Sequence, residues 1–197
     1  MKRIVVIQKG KVVASRTRHL RPARSSCESG QDSVPESGQD TVPQGYLFGA
    51  YENNLGAAAA DKILAGGRVL LDGDNFEVLL SLKTRAMFDA LGADVGARLD
   101  TMKTIVRDGI RGVQNDRGIY THRWVASIHL DTTYPHVHII VPTRMYEIAT
   151  DASVVKTGFP MRWYVSREGA PSRVAAHFEV AYDAVVTSSN FQALTAG

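Results

Sequence analysis

Two apolar, strand-like runs and a short connection make up residues 123–141, RWVASIHLDTTYPHVHIIV. Residues 123–130 and 136–141 are rich in β-branched and aromatic side chains, which is typical of strands. The segment 131–135 between them is polar and ends in proline, as a connection between strands does. This stretch therefore predicts two neighbouring strands, and we expect them to belong to an antiparallel sheet.

Three of the six histidines of the chain lie in this stretch. His136 and His138 are two residues apart on a strand, so both rings project from the same face. His129 ends the preceding strand, and the short connection brings it beside that pair. Three imidazoles on one face make an open site for a divalent ion such as Mn²⁺, Co²⁺, Ni²⁺ or Zn²⁺. A ligating histidine usually passes its second N–H to a carboxylate, and Asp131 is placed to accept it.

The rest of the chain alternates strands with helices. Residues 75–82 have the pattern of a strand, and the residues that follow carry apolar side chains at steps of three and four, the period of a helix. Gly92, Gly96 and Gly109 weaken or divide that helix. A further helix is expected over 172–186. Strands in adjacent pairs with helices between them predict an α+β fold, with a central antiparallel β-sheet flanked by helices.

The N-terminal part has the pattern of a hairpin followed by an irregular insertion. Residues 3–8 and 11–14 are apolar runs, and the Lys-Gly pair between them offers a turn. Residues 28–43 then repeat one polar octapeptide, ESGQDSVP followed by ESGQDTVP. Such a composition is typical of a flexible loop. We therefore expect a single domain over 1–197 with a flexible insertion at 25–44.

Charge is concentrated at the start of the chain. The formal net charge is +3, and residues 1–24 hold eight basic side chains and no acidic one. A wholly basic segment indicates a polyanionic partner such as nucleic acid, with Arg18 and Arg21 among the candidate contacts. The single cysteine excludes an intramolecular disulfide, and no apolar run approaches the ~20 residues of a membrane span. We expect a cytoplasmic protein without a membrane partner.

The histidine-rich stretch resembles motif III of plasmid relaxases, which belong to the HUH endonuclease superfamily. The matching pattern is His-x-Asp-Thr followed by Pro-His-x-His, and the resemblance extends over residues 75–141. It implies an HUH-nuclease core, of the ferredoxin- or RRM-like kind, and a Mn²⁺- or Mg²⁺-dependent nickase of single-stranded DNA. In that superfamily a tyrosine attacks a phosphodiester and stays joined to the 5′ phosphate.

The same resemblance implies a role and partners. The role would be plasmid mobilization or rolling-circle replication, on single-stranded DNA at an origin of transfer or replication, together with accessory or helicase proteins. The alternative from another functional class is a catalytically inactive DNA-binding module of the same fold, acting as an origin-binding factor or a repressor. Covalent capture of DNA distinguishes the two, because only the enzyme forms an adduct.

The sequence offers several candidate nucleophiles. Replication initiators of the superfamily carry Tyr-x-x-Lys after the histidine motif, and Tyr164-Val-Ser-Arg167 is similar, with arginine in place of lysine. If residues 160–168 form a short helix, positions three apart share one face. Tyr164 would then attack the phosphate while Arg167 neutralises its charge. Relaxases place the nucleophile nearer the N-terminus, where the candidates are Tyr46, Tyr51 and His19.

Overall fold

The computed structural model describes residues 4–12, 46–66, 75–130, 134–142, 144–147, 155–157 and 172–195. The strands are β1 (Ile4–Val12), β2 (Leu47–Gly49), β3 (Asn75–Leu82), β4 (Ile119–Tyr120), β5 (Val125–His129), β6 (His136–Pro142), β7 (Arg144–Glu147) and β8 (Val155–Thr157). The helices are α1 (Ala57–Ala65), α2 (Arg85–Asp89), α3 (Val95–Arg117) and α4 (Arg173–Thr195). The predicted α+β class is confirmed.

The larger sheet has five strands in the order β1-β3-β6-β5-β2, and each neighbouring pair is antiparallel. β6 lies at its centre. The register of β5 and β6 sets His129 opposite His136, and Ser127 opposite His138. A smaller antiparallel sheet has the order β4-β7-β8.

One face of the larger sheet carries the main hydrophobic core. Its apolar side chains alternate with residues of the other face and pack against α2, α3 and α4. The helix α3 is well delimited, because the Asp94 side chain accepts a hydrogen bond from the Ala97 amide and Gly118 ends the helix at φ 66°. Buried members of this core include Leu80, Phe88, Met102, Ile105, Val137, Ile139 and Phe178.

The opposite face of the sheet is covered by α1 over part of its length. Ala60 and Leu64 of α1 pack against Val125 of β5 and Ile140 of β6. Side chains on this face recur every second residue, so His129 lies at the other end of β5 from Val125. The same alternation places the β6 histidines beyond Ile140. The histidines therefore share a face with α1 but lie at the end away from its contacts.

One local prediction needs correction. The predicted N-terminal hairpin is wrong: β1 is one strand that pairs with β3 along its whole length, with a register irregularity between Gln8 and Gly10. The long partner strand pairs with both apolar runs, so the Lys-Gly pair produces a bulge rather than a turn. The helix after β3 is divided, as expected, and the Arg98 Nε donates to the carbonyl of Gly92 in the break, at 2.8 Å.

Two further predictions lie outside the described residues, namely the insertion at 25–44 and the short helix at 160–168. The predicted helix over 172–186 is present as α4, which continues to Thr195. Gly109 lies inside α3 without breaking it. A Cβ at this position would clash with the Phe178 ring, so the glycine allows α3 and α4 to approach closely.

Candidate metal centre

The three histidines predicted as ligands converge. One ring nitrogen from each of His129, His136 and His138 lies within 4.8 Å of the others. The His129 and His136 rings stack with centroids 5.2 Å apart, and the His129 and His138 centroids are 4.7 Å apart. The pairing of β5 with β6 produces this cluster, because it sets the last residue of one strand opposite the first residue of the next. The three side chains lie close enough to bind a metal ion.

Hydrogen bonds orient two of the three rings. Nδ1 of His136 lies 3.1 Å from the carbonyl oxygen of Tyr134, and Nδ1 of His138 contacts a carboxylate oxygen of Glu77. Carbonyl and carboxylate oxygens only accept hydrogen bonds, so each Nδ1 carries the proton and donates it. Nε2 of each ring is then the nitrogen on the side of the cluster, and a metal binds this atom in its deprotonated form.

The two Nε2 atoms of His136 and His138 lie 3.1 Å apart. Two imidazole nitrogens at this distance either share a proton in a hydrogen bond or bind the same cation. Nitrogens bound to one ion at about 2.1 Å are about 3.0 to 3.4 Å apart for ligand angles from octahedral to tetrahedral. The observed spacing and the all-nitrogen donor set therefore fit a bound divalent ion.

The cluster is open on one side. His129 is buried, with 9% of its surface exposed, whereas His136 and His138 are half-buried. An ion held by three protein ligands on such a surface keeps coordination positions for water or a substrate, as catalytic metal sites do. Among the residues that the structure describes, these three histidines form a group of potential ligand side chains that lie close enough together to bind a metal ion.

The carboxylate beside the cluster comes from Glu77, a residue that was not among the predicted site residues. Asp131, the predicted acceptor, lies outside the described residues. Glu77 sits on β3, in contact with His138 of the neighbouring strand β6. A signal existed in the sequence, since Glu77 is the one charged residue of the otherwise largely apolar strand Asn75–Leu82.

The N-terminal tyrosines are not brought to the histidines. The Tyr46 carbonyl accepts from the Ile128 amide at 2.9 Å, but the Tyr46 side chain packs against the core on the other face of the sheet. Tyr51 follows Gly49, which pairs with Val125 at the far end of β5. The hydroxyls of Tyr51 and Tyr120 lie 2.9 Å apart there. The other predicted site residues lie outside the described residues, namely Tyr164, Arg167, Arg18, Arg21 and His19.

A second polar cluster joins α3 to α4. The Arg173 guanidinium donates to both carboxylate oxygens of Asp116, at 2.7 and 2.8 Å, and His177 Nε2 lies 3.1 Å from one of them. The Arg173 and His177 hydrogen bonds lower the pKa of Asp116 from 3.8 to about 2. This cluster, which includes His177, links α3 to α4.

Comparisons with known proteins give no relative from which to take a function. No family model matches the chain, and no curated protein or solved structure matches it either. In the described part of the chain, no helix is both long enough and apolar enough to cross a membrane. The functional conclusion therefore depends on the geometry of the histidine cluster and on the motif that surrounds it.

Proposed function

We propose that this protein is a metal-dependent single-stranded DNA endonuclease of the HUH type. The observation that carries the proposal is the pair of Nε2 atoms 3.1 Å apart, with His129 beside them, on adjacent strands of an antiparallel sheet. The HUH-type core, the DNA substrate and a role in plasmid mobilization or rolling-circle replication are parts of this proposal. The motif in residues 123–141 supports them.

His129, His136 and His138 would hold the metal ion. The superfamily resemblance favours Mn²⁺ or Mg²⁺, whereas three imidazole nitrogens suit Mn²⁺, Co²⁺, Ni²⁺ or Zn²⁺ better than Mg²⁺, which prefers oxygen ligands. Mn²⁺ satisfies both arguments. When bound, the ion supplies a Lewis acid for a phosphodiester oxygen.

The remaining steps belong to the chain's own residues. Glu77 and the Tyr134 carbonyl hold two ligand rings in orientation, and Asp131 is proposed to do the same for a third N–H. The Tyr164 hydroxyl loses its proton and attacks phosphorus. The bond from phosphorus to the 3′ oxygen breaks, this oxygen takes up a proton, and the DNA 5′ phosphate stays on the tyrosine.

Basic side chains complete the proposed mechanism. Arg167 neutralises charge on the phosphate during attack, as a cation near a developing negative charge does. Arg18 and Arg21, in the basic N-terminal segment, contact the DNA backbone. Because the covalent step is reversible, the released 3′ hydroxyl can attack the phosphotyrosine and rejoin the strand.

Covalent capture tests this proposal. The protein is mixed with Mn²⁺ and a pool of labelled single-stranded oligonucleotides, and adducts are separated on a denaturing gel. The expected result is an adduct that maps to Tyr164 and disappears in Tyr164→Phe. The control Tyr51→Phe, at the far end of the sheet, should keep the adduct. No wild-type adduct across a broad pool, with salt-sensitive DNA binding retained, would contradict the endonuclease and favour the non-catalytic DNA-binding module.

A further inference from the structure

Tyr134 is an exposed aromatic residue next to the histidine cluster. It precedes His136 by two residues, and 54% of its surface is exposed. Two residues of extended backbone span at most about 7 Å. Tyr134 therefore lies at the edge of the candidate metal centre, with its carbonyl against the His136 ring.

The backbone that carries this ring is held on both sides. The Tyr134 carbonyl accepts a hydrogen bond from Nδ1 of His136 at 3.1 Å. The next residue, Pro135, is buried, and its carbonyl accepts from the Leu82 amide of β3 at 3.1 Å. Proline also fixes its own φ angle and restricts the residue before it. The backbone of this exposed residue is thus held in position by contacts with β3 and with a ligand histidine.

An exposed aromatic residue at the edge of the proposed phosphate-binding site suits one kind of contact. Every nucleobase has a π-face that stacks on an aromatic side chain, whatever the sequence. In a duplex, both faces of each base are covered by the neighbouring bases. A single strand offers an uncovered base face, so a stacking tyrosine favours single strands over duplexes.

We propose that Tyr134 stacks on a base adjoining the phosphate at the histidine cluster and thereby selects single-stranded DNA. This inference rests on the proposed function for the identity of the ligand. It needs only DNA binding, however, and it does not need cleavage. Tyr134 is thus assigned as a substrate-positioning residue, separate from the nucleophile and from the metal ligands.

The inference is tested by measuring the affinity for a labelled single-stranded oligonucleotide. Fluorescence anisotropy gives this affinity, and a chelator is present to prevent cleavage. Tyr134→Ala should weaken binding about 5- to 150-fold, the range for loss of one base–aromatic stack. Tyr134→Phe and Tyr134→Trp keep a stacking face and should stay within about threefold of wild type. The control Tyr51→Ala removes a tyrosine that is 73% exposed at the other end of the sheet, and should leave binding unchanged.

A second series locates the stacked base. In oligonucleotides that each carry one abasic position, wild-type binding should fall at one position, and that position should have no effect on Tyr134→Ala. The Mn²⁺ affinity of Tyr134→Ala should equal that of wild type. Equal DNA binding by Tyr134→Ala and wild type would overturn the inference, and so would a parallel loss of Mn²⁺ affinity, which would indicate a structural role.

The two proposals fail in different ways. Wild-type protein that binds single strands through Tyr134 but forms no covalent adduct would contradict the endonuclease and uphold the stacking contact. Wild-type protein that forms an adduct, with Tyr134→Ala binding normally, would uphold the endonuclease and overturn the stacking contact. Wild-type protein without any affinity for single-stranded DNA would overturn both.

Discussion

A carboxylate oxygen of Glu77 contacts Nδ1 of His138 across the boundary between β3 and β6. The residue directly opposite His138 is Leu79, so Glu77 reaches the ring from the diagonal position on the same face. The contact sets both the tautomer and the plane of the His138 ring. It is the arrangement through which carboxylates usually support a ligating histidine.

Glu77→Gln should weaken Mn²⁺ binding about 10- to 100-fold, the usual effect of removing such a supporting carboxylate. The amide keeps the size of the side chain but loses the charge that makes the His138 ring a stronger ligand. Calorimetric titration with Mn²⁺ measures the change. The matched control is Asp108→Asn, which removes an exposed carboxylate that pairs with Arg111 on α3. Equal Mn²⁺ affinity for Glu77→Gln and wild type would show that the contact does not support a metal ligand.

His136→Ala and His138→Ala should each abolish DNA cleavage. Most of the salt-sensitive binding of single strands should remain, because that binding comes from phosphate contacts with basic side chains rather than from the metal centre. Cleavage is followed on denaturing gels and binding by anisotropy at several salt concentrations. His122→Ala, an exposed histidine near Tyr51 and Tyr120, serves as the control. Normal cleavage by either alanine variant of the cluster would refute the metal-centre mechanism.

Gly109→Ala should destabilise the fold by about 1 to 3 kcal/mol, the usual range for overpacking a core. The added methyl group would clash with the Phe178 ring where α4 crosses α3, and this outweighs the gain in helix propensity of about 1 kcal/mol. Urea unfolding measures the difference. The control without a clash is Gly56→Ala, where a Cβ meets no atom within 4 Å; it should cost only about 0.5 to 1 kcal/mol, because alanine is a poorer N-cap of α1 than glycine. A Gly109→Ala protein more stable than wild type would contradict the packing described here.

Asp116 should make stability depend on acid pH. Its hydrogen bonds with Arg173 and His177 lower the pKa of the folded-state carboxyl to about 2 from 3.8. A depressed folded pKa stabilises the protein fully above the unfolded value, and this contribution is lost as the pH falls from about 4 to about 2. Asp116→Asn should therefore cost about 1 kcal/mol at pH 7, a value reduced for the exposure of the cluster.

Asp116→Asn also tests whether the stabilisation by Asp116 depends on pH. The difference in unfolding free energy between wild type and Asp116→Asn should shrink as the pH falls to about 2, where about half of the folded wild-type carboxyls are protonated. Urea unfolding at several pH values measures this difference. A difference that stays constant down to pH 2 would mean that the ionised carboxylate is not what joins α3 to α4.

The histidine cluster was predictable because its geometry is local. His136 and His138 share a face through the two-residue period of a strand, and the short connection limits how far His129 can lie from them. Both are properties of one stretch of chain. The prediction that the three rings meet is confirmed for that reason.

Features that depend on distant pairing were not predictable in the same way. Glu77 reaches His138 only through the register of β3 against β6, which couples residues 61 positions apart. The bulge near Gly10 likewise depends on β3 as a partner, and a Lys-Gly pair alone favours a turn. Gly109 alone predicts a weak point in the helix, and only the contact with Phe178 of α4 explains why a glycine occupies this position. In each case the deciding contact comes from another element of the fold.

Binding of Mn²⁺ by the histidine cluster decides whether the proposed mechanism can operate, because the mechanism depends on a metal ion held by these three side chains. Titration of metal-free protein, with the free ion counted by electron paramagnetic resonance, measures it without any DNA. We expect one saturable site per chain, lost in His138→Ala and kept in His122→Ala. The absence of saturable binding, or equal binding by His138→Ala and wild type, would contradict the proposed mechanism.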